Sequence, residues 1–188
     1  VSSGGYQTVD EGFNILNIGT SNFNSVLCLV SLENKLGVVI HNWWLSNLEK
    51  IIILGCGAAL PTSKRNPTAQ ILENSGRFFL IDCGEGTQSR LRENKLSFEK
   101  ITHIFISHMH GDHYLGLPGL ISSMQLLGRK KKLDLYGPTD LWEVLKLQFK
   151  VSKTTINFEL NFHPVESETI LFEDKNINVL SVKLNHRI

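Results

Sequence analysis

The sequence predicts a layered domain of mixed strands and helices, of α/β (α+β) class. Three observations carry this reading. From residue 50 onward, short runs of Ile, Leu, Val and Phe recur between glycine or polar turns. Two longer stretches, 117–128 and 137–149, carry the helical signals. Strands outnumber helices, helices fall between some of them, and there is no internal repeat.

Taken in order, "KIIILGCG" (50–57) reads as a buried strand ending in a glycine turn. "TAQILEN" and "RFFLIDCG" are strands joined by the Ser75-Gly76 turn signal. "EGTQSRLREN" reads as a helix with Leu91 as its main apolar residue, and "ITHIFISH" as a strand in which Ile104 and Ile106 alternate with Phe105. "LPGLISSMQLLG" predicts a helix beginning after Pro118 and ending near Gly128. "KLDLYG" is a strand. In "GPTDLWEVLKLQF", Thr139 is the expected N-cap, and Leu141, Val144, Leu145 and Phe149 sit at helical spacing. "INFELNFH", "ETILFE" and "INVLSVKL" complete the strands.

Residues 1–49 differ in texture, being rich in Ser, Gly, Asn and Thr. They read as a poorly structured leader or extraneous segment, although "VLCLVSL" and "LGVVI" have the form of two short strands and Trp43-Trp44 of a packing element. The expected division is therefore 1–49 and 50–188. The first residue is Val1, and the last strand-like segment stops without a turn, so the chain reads as part of a longer protein.

With 188 residues, 41% of them hydrophobic, the chain can bury a core, and a formal net charge of +1 gives no bulk argument for nucleic-acid binding. The longest apolar runs are too short to span a bilayer, so no membrane association is expected. Cys28, Cys56 and Cys83 are odd in number and widely spaced, which suits reduced thiols in a cytoplasmic setting. No GxxxxGK[ST] stretch occurs, which argues against an NTPase.

The chemistry concentrates in "ISHMHGDHYLG" (106–116). His108, His110, Asp112 and His113 place four metal-binding side chains in six positions, directly after a buried strand. Residues at i and i+2 of an extended segment project to one side, so His108 and His110 can share one ion. Gly111 permits a sharp turn that lets Asp112 and His113 face a second. Imidazole with carboxylate favours zinc, manganese or iron over calcium. The bland alternative is a solvated histidine-rich loop.

This pattern resembles the HxHxDH motif of the metallo-β-lactamase superfamily, which implies an αββα sandwich, here only its first half to two-thirds. The flanks "ILGCGAALPTSKRNPTA" (53–69), "FLIDCGEGTQSRLR" (79–92) and "FISHMHGDHYLGLPGLISSMQLLGR" (105–129) resemble the ribonuclease Z family of tRNA 3′-processing endonucleases. The resemblance implies Zn2+, two per complete site, with Mn2+ as an alternative. His108, His110 and the downstream His186 would hold the first ion; Asp112 and His113 would hold the second. Asp112 would also accept a proton in catalysis, and Asp82 would support the ligands from behind, its plainer role being an Asx-turn or helix cap. Lys64, Arg65 and Asn66 lie in a loop resembling a substrate-contacting one, although Lys64 stands one place later than the family's lysine. Precursor tRNA is the implied substrate and a homodimer the implied assembly.

The family's metal-bridging aspartate, its last zinc-binding histidine, a histidine thought to assist the leaving group and a flexible tRNA-gripping arm would lie beyond residue 188. The chain alone is therefore expected to bind metal weakly and to cleave little. A different superfamily hydrolase, or a non-catalytic metal-binding fragment, are the rival readings. His41, His103 and His163 read as structural or surface residues, and the basic run Arg129 to Lys132 as a solvated turn complementing a helix dipole.

Overall fold

The computed structural model describes the backbone of residues 7–9, 13–17, 26–31, 36–41 and 48–183, and side chains from 50 to 182. His41 and His186 lie outside the residues whose side chains are described, as do Trp43 and Trp44. Two compact units result, one of residues 50–166 and one of 1–49 with 167–188.

The 50–166 unit is built on a six-stranded sheet of order β10-β9-β8-β7-β6-β5. Its strands are β5 (Leu48–Gly55), β6 (Ala69–Asn74), β7 (Arg77–Ile81), β8 (Ile101–Phe105), β9 (Leu133–Gly137) and β10 (Leu160–Pro164). β6 and β7 form an antiparallel hairpin, turned by Ser75 and Gly76 at φ 51° and 71°. These paired positive φ angles match the twist of the flanking strands. From β7 the sheet is parallel, β7 to β8 to β9 to β10, and the connections must then be crossovers. They carry α1 (Thr87–Glu93) with a 3-10 turn (Phe98–Lys100), then α2 (Gly111–Tyr114) and α3 (Leu117–Leu126), and finally α4 (Thr139–Val151).

Alternation divides the sheet residues. Ile71, Leu80, Ile104 and Leu135 enter one core with Leu91, Leu117, Leu120, Ile121, Met124, Leu141 and Leu145. Their neighbours on the other face form a ring ladder. Phe79 stacks on His103 at 4.9 Å between centroids, Phe105 on Tyr136 at 4.9 Å, and Tyr136 on His163 at 4.4 Å. His103 is buried and His163 bonds Asp134 Oδ1 at 3.1 Å, so both histidines are tied into this face.

Three sequence expectations shift in detail. Pro138, not Thr139, caps α4; Thr139 is its first helical residue and donates its hydroxyl to Glu166 Oε1 at 2.8 Å. Proline at the cap cannot continue a preceding extended segment's N–H ladder, so the helix starts one residue early. On α4, Leu141 and Leu145 are buried while Val144 faces outward. The helix α3 starts at Leu117 with Pro118 in its first turn, where a missing N–H costs nothing. It ends at Gly128 (φ 79°), with Arg129 N bonded to Met124 O and Gly128 N to Gln125 O, the pairing of a Schellman cap.

Arg129 corrects the reading of the basic run. Its side chain is 2% exposed rather than solvated. Nε donates to Lys131 O at 2.8 Å, Nη1 to Phe98 O at 3.1 Å, and Nη2 to Ile101 O at 2.8 Å and Lys132 O at 2.7 Å. The guanidinium thereby ties the end of α3 to the start of β8. A planar fork of five donors suits this job, and an ammonium does not.

The second unit is an antiparallel sheet of order β1-β2-β3-β4-β12-β11. Its strands are β1 (Gln7–Val9), β2 (Phe13–Asn17), β3 (Val26–Ser31), β4 (Leu36–His41), β11 (Thr169–Glu173) and β12 (Asn178–Lys183). The segment 1–49 contributes four strands, two of them in the stretches "VLCLVSL" and "LGVVI". Residues 178–183 pair with it, Asn178 opposite His41 through Lys183 opposite Leu36. Val, Leu and Ile, residue types favoured in strands, make up much of both "NVLSVK" and "LGVVIH".

Candidate metal centre

The candidate site lies at the C-terminal ends of β7 and β8, where parallel strands give way to loops. Such crevices are the usual ligand position in open α/β sheets. Asp82 follows β7 directly. It holds φ 57°, a left-handed conformation that aspartate tolerates better than most residues, and it is 2% exposed. Its backbone N–H donates to Phe105 O at 2.8 Å, which fixes the strand end.

The Asp82 carboxylate reaches across to the histidine loop. Oδ1 accepts from Ser107 N at 2.8 Å and from Ser107 Oγ at 2.8 Å. Oδ2 lies 2.8 Å from His113 Nδ1. The partners are 25 and 31 residues away, so Asp82 acts between segments and not as a local turn or helix cap.

His113 is buried in the four-residue helix α2. With Nδ1 donating to Asp82, its lone pair is on Nε2. That nitrogen stands 3.4 Å from Asp112 Oδ2. A lone pair facing a carboxylate oxygen calls for a proton or a cation between them. Asp112 Oδ2 also accepts from Ala59 N at 2.9 Å, which docks the 56–66 loop against the site.

His108 lies beside both other histidines, its ring centroid 4.1 Å from that of His113 and 4.5 Å from that of His110. Its Nε2 is buried with no hydrogen-bond partner. Buried polar atoms are rarely left so without an ion or another unseen partner. Burial first, and the neighbouring His113 second, pull the imidazole down from 6.5 to about 4. It is therefore neutral at pH 7, the form that binds metals. His110 is exposed and caps α2, its carbonyl accepting from His113 N at 3.0 Å.

These features fit a cation: an orphaned imidazole nitrogen, an imidazole and a carboxylate converging, and hard-to-borderline donors suited to zinc or manganese. The fit is partial. Among the described residues, no group of three His, Cys, Asp or Glu side chains makes a ready cage.

The loop is held mostly by main chain. Cys83 N donates to His113 O at 2.7 Å, and Gly116 N to Cys83 O at 2.9 Å. A Cβ on Gly116 would stand 2.1 Å from Gly84 O, and one on Gly84 would stand 2.3 Å from Asp112 O. Only glycine permits this approach. Ser123 Oγ donates to Gln88 Oε1 at 2.5 Å, joining α3 to α1. The "DCGEGTQ" and "GLPGLISS" stretches are thus two halves of one packed contact.

Lys64 and Arg65 are exposed on the docked loop, and Asn66 is half-buried. Thr62 Oγ1 accepts from Arg65 N at 2.9 Å, and Asn66 O accepts from Cys56 N and Gly57 N at 3.0 and 2.8 Å. Sequence reasoning missed Ser107 and the Ala59 amide. A hydroxyl next to the first histidine was a readable signal for Ser107; the amide left none.

The fold is of the metallo-β-lactamase class. The metallo-β-lactamase fold protein YhfI from Bacillus subtilis superposes with a TM-score of 0.53 at 21% identity, over 66% of this chain and 48% of that one. More narrowly, residues 49–187 match the family model described as anti-Pycsar protein Apyc1, and the chain belongs to that family. A curated relative, ribonuclease Z of Parabacteroides distasonis, is 41% identical over 140 residues, 73% of this chain and 46% of the relative. The short form of human tRNase Z superposes with a TM-score of 0.62 at 29% identity, over 71% of this chain and 64% of that one. The chain spans about half the length of the curated relatives it matches.

Proposed function

We propose that this chain is the metal-binding portion of a zinc-dependent endoribonuclease that removes the 3′ trailer from precursor tRNA. The observation that carries the reading is the Asp82 carboxylate, bonded at once to Ser107 and His113, behind a loop whose His108 Nε2 is buried without a partner. The ribonuclease Z names of its relatives supply the substrate.

In this reading His108 and His110 hold one ion, and Asp112 and His113 hold the other; His186, which the family resemblance implies as a further ligand of the first, lies outside the described residues. A zinc pair, with manganese as the alternative, would supply Lewis-acid polarisation of the scissile phosphate and a more acidic water. Asp112 takes up the proton of the attacking water. Asp82 holds the imidazole of His113 with its lone pair outward. Lys64, Arg65 and Asn66 meet the phosphate backbone from the loop that Ala59 docks. The described cysteines are free, as suits a cytoplasmic protein, and no described helix is long and apolar enough to cross a membrane. A homodimer is the assembly expected of the whole enzyme.

A second reading is hydrolysis of another ester by the same residues. It draws on the family description, which names an anti-Pycsar protein and no ribonuclease. Precursor tRNA and a cyclic nucleotide, each offered with zinc to this chain and to a version extended to its relatives' length, separate the two. Specific trailer removal by the extended protein, with little by the 188-residue chain, is expected. Turnover of the cyclic nucleotide without tRNA cleavage would sink the first reading.

A further inference from the structure

We propose that Ser107 is a positioning residue that sets the tautomer of His108, completing a relay in which the single carboxylate of Asp82 orients two imidazoles. The hydroxyl has one hydrogen and several neighbours. Ser107 Oγ lies 2.8 Å from Asp82 Oδ1, 3.0 Å from Asp82 Oδ2 and 3.2 Å from His108 Nδ1. Carboxylate oxygens only accept, so the hydrogen goes to Asp82. The opposite choice would press two sets of lone pairs together at 2.8 Å.

With its hydrogen committed, the hydroxyl oxygen can only accept from His108, so the imidazole proton sits on Nδ1. The lone pair of His108 is then on Nε2, the buried atom that lacks a partner. Asp82 imposes the same state on His113 directly, through Nδ1 at 2.8 Å. The distance from Ser107 Oγ to His113 Nδ1 is longer, at 3.4 Å, so His113 depends on Asp82 and His108 on Ser107. Two histidines thus present lone pairs from one buried anchor, one directly and one through a serine. Free histidine prefers its proton on Nε2, so without the relay His108 would present a hydrogen where a ligand atom is needed.

The inference rests on reading His108 as a metal ligand, but its test does not need metal. Nitrogen-15 shifts and couplings of the imidazole rings, recorded on the metal-free 188-residue chain, report which nitrogen carries the proton. In the unaltered chain both His108 and His113 are expected to be protonated on Nδ1. In Ser107→Ala, His108 should pass mainly to the Nε2 form while His113 stays unchanged, and Ser107→Thr should restore His108. Zinc affinity should fall about 10-fold in Ser107→Ala, as for other losses of a ligand's supporting hydrogen bond. An unchanged His108 tautomer in Ser107→Ala overturns the proposal. So does a joint change at His108 and His113, because that would mean Asp82 itself had moved. Absence of zinc uptake by the unaltered chain would instead strike the metal reading and leave the relay standing.

Discussion

Replacing Arg129 by methionine isolates the buried guanidinium. Methionine has similar length and can fill the space, so the change removes donors more than volume. Of the four carbonyls that lose a partner, those of Lys131 and Lys132 are near solvent and can rehydrate. That of Ile101 is buried and cannot, while the buried Phe98 carbonyl keeps only the Ile101 N–H. The unsatisfied Ile101 acceptor costs about 1–3 kcal/mol, losing the charged donor at Phe98 adds about 1–2 kcal/mol, and the new apolar contact offsets part of this, which leaves a net loss of about 2–4 kcal/mol. That is a large share of a domain stability of about 5–15 kcal/mol. Urea unfolding of the metal-free chain should show a lower midpoint with the slope unchanged. Arg129→Lys should fall between the two, since an ammonium keeps the charge but cannot span the four acceptors. An unfolding free energy for Arg129→Met within about 1 kcal/mol of that of the unaltered chain would refute the reasoning, because the carbonyls would then have found other donors.

Gly116→Ala should destabilise by about 1–3 kcal/mol or prevent folding, since the new methyl meets the backbone of Gly84, whereas Gly128→Ala, with nothing within 4 Å, should cost only about 1 kcal/mol for its left-handed φ; equal midpoints would count against the close approach. Burial pushes the Cys83 thiol up from 9.0 to about 12, so its contribution to stability is present below pH 9 and is lost as pH rises toward 12. Peptide mapping after thiol alkylation at neutral pH should show Cys56 modified and Cys83 protected until denaturant is added. His108 behaves in the opposite sense. Its folded-state value is lowered, so stability is present above pH 6.5 and is lost as pH falls toward 4. After allowance for solvent at this half-buried ring the loss is about 1–2 kcal/mol, and His108→Asn should flatten that limb of the pH–stability curve. A limb unchanged by the substitution would assign it to other groups.

The parts of this molecule that sequence reveals are those whose cause is local. The hairpin turned at Ser75-Gly76 and the helix stripe of Leu141 and Leu145 follow from spacing alone. The clustering of His108, His110, Asp112 and His113 was legible for the same reason: the candidate ligands are neighbours in the chain. Arg129 was not. Within "GRKKK" it is indistinguishable from the lysines that follow, and only the meeting of α3 with β8 selects it for burial. Thr139 carried the right chemistry for a cap but stands one residue too late, because the preceding proline already sets the extended geometry. The strands within 1–49 sit in polar, glycine-rich surroundings, and the pairing of β4 with β12 joins segments more than 130 residues apart. No window of sequence contains that contact.

The glycine contacts beneath the histidine loop have a consequence for engineering. The path of residues 107–116 is set largely by amide and carbonyl groups of Cys83, Gly84, His113 and Gly116, with the Asp82 carboxylate holding Ser107 and His113. The mould and what it displays are written in different residues. His110, whose side chain takes no part in that mould, could be exchanged for cysteine or glutamate and the backbone would still be delivered to the same place. The loop is therefore a socket into which alternative ligand sets can be fitted, with the packed glycines as the part that must not be touched.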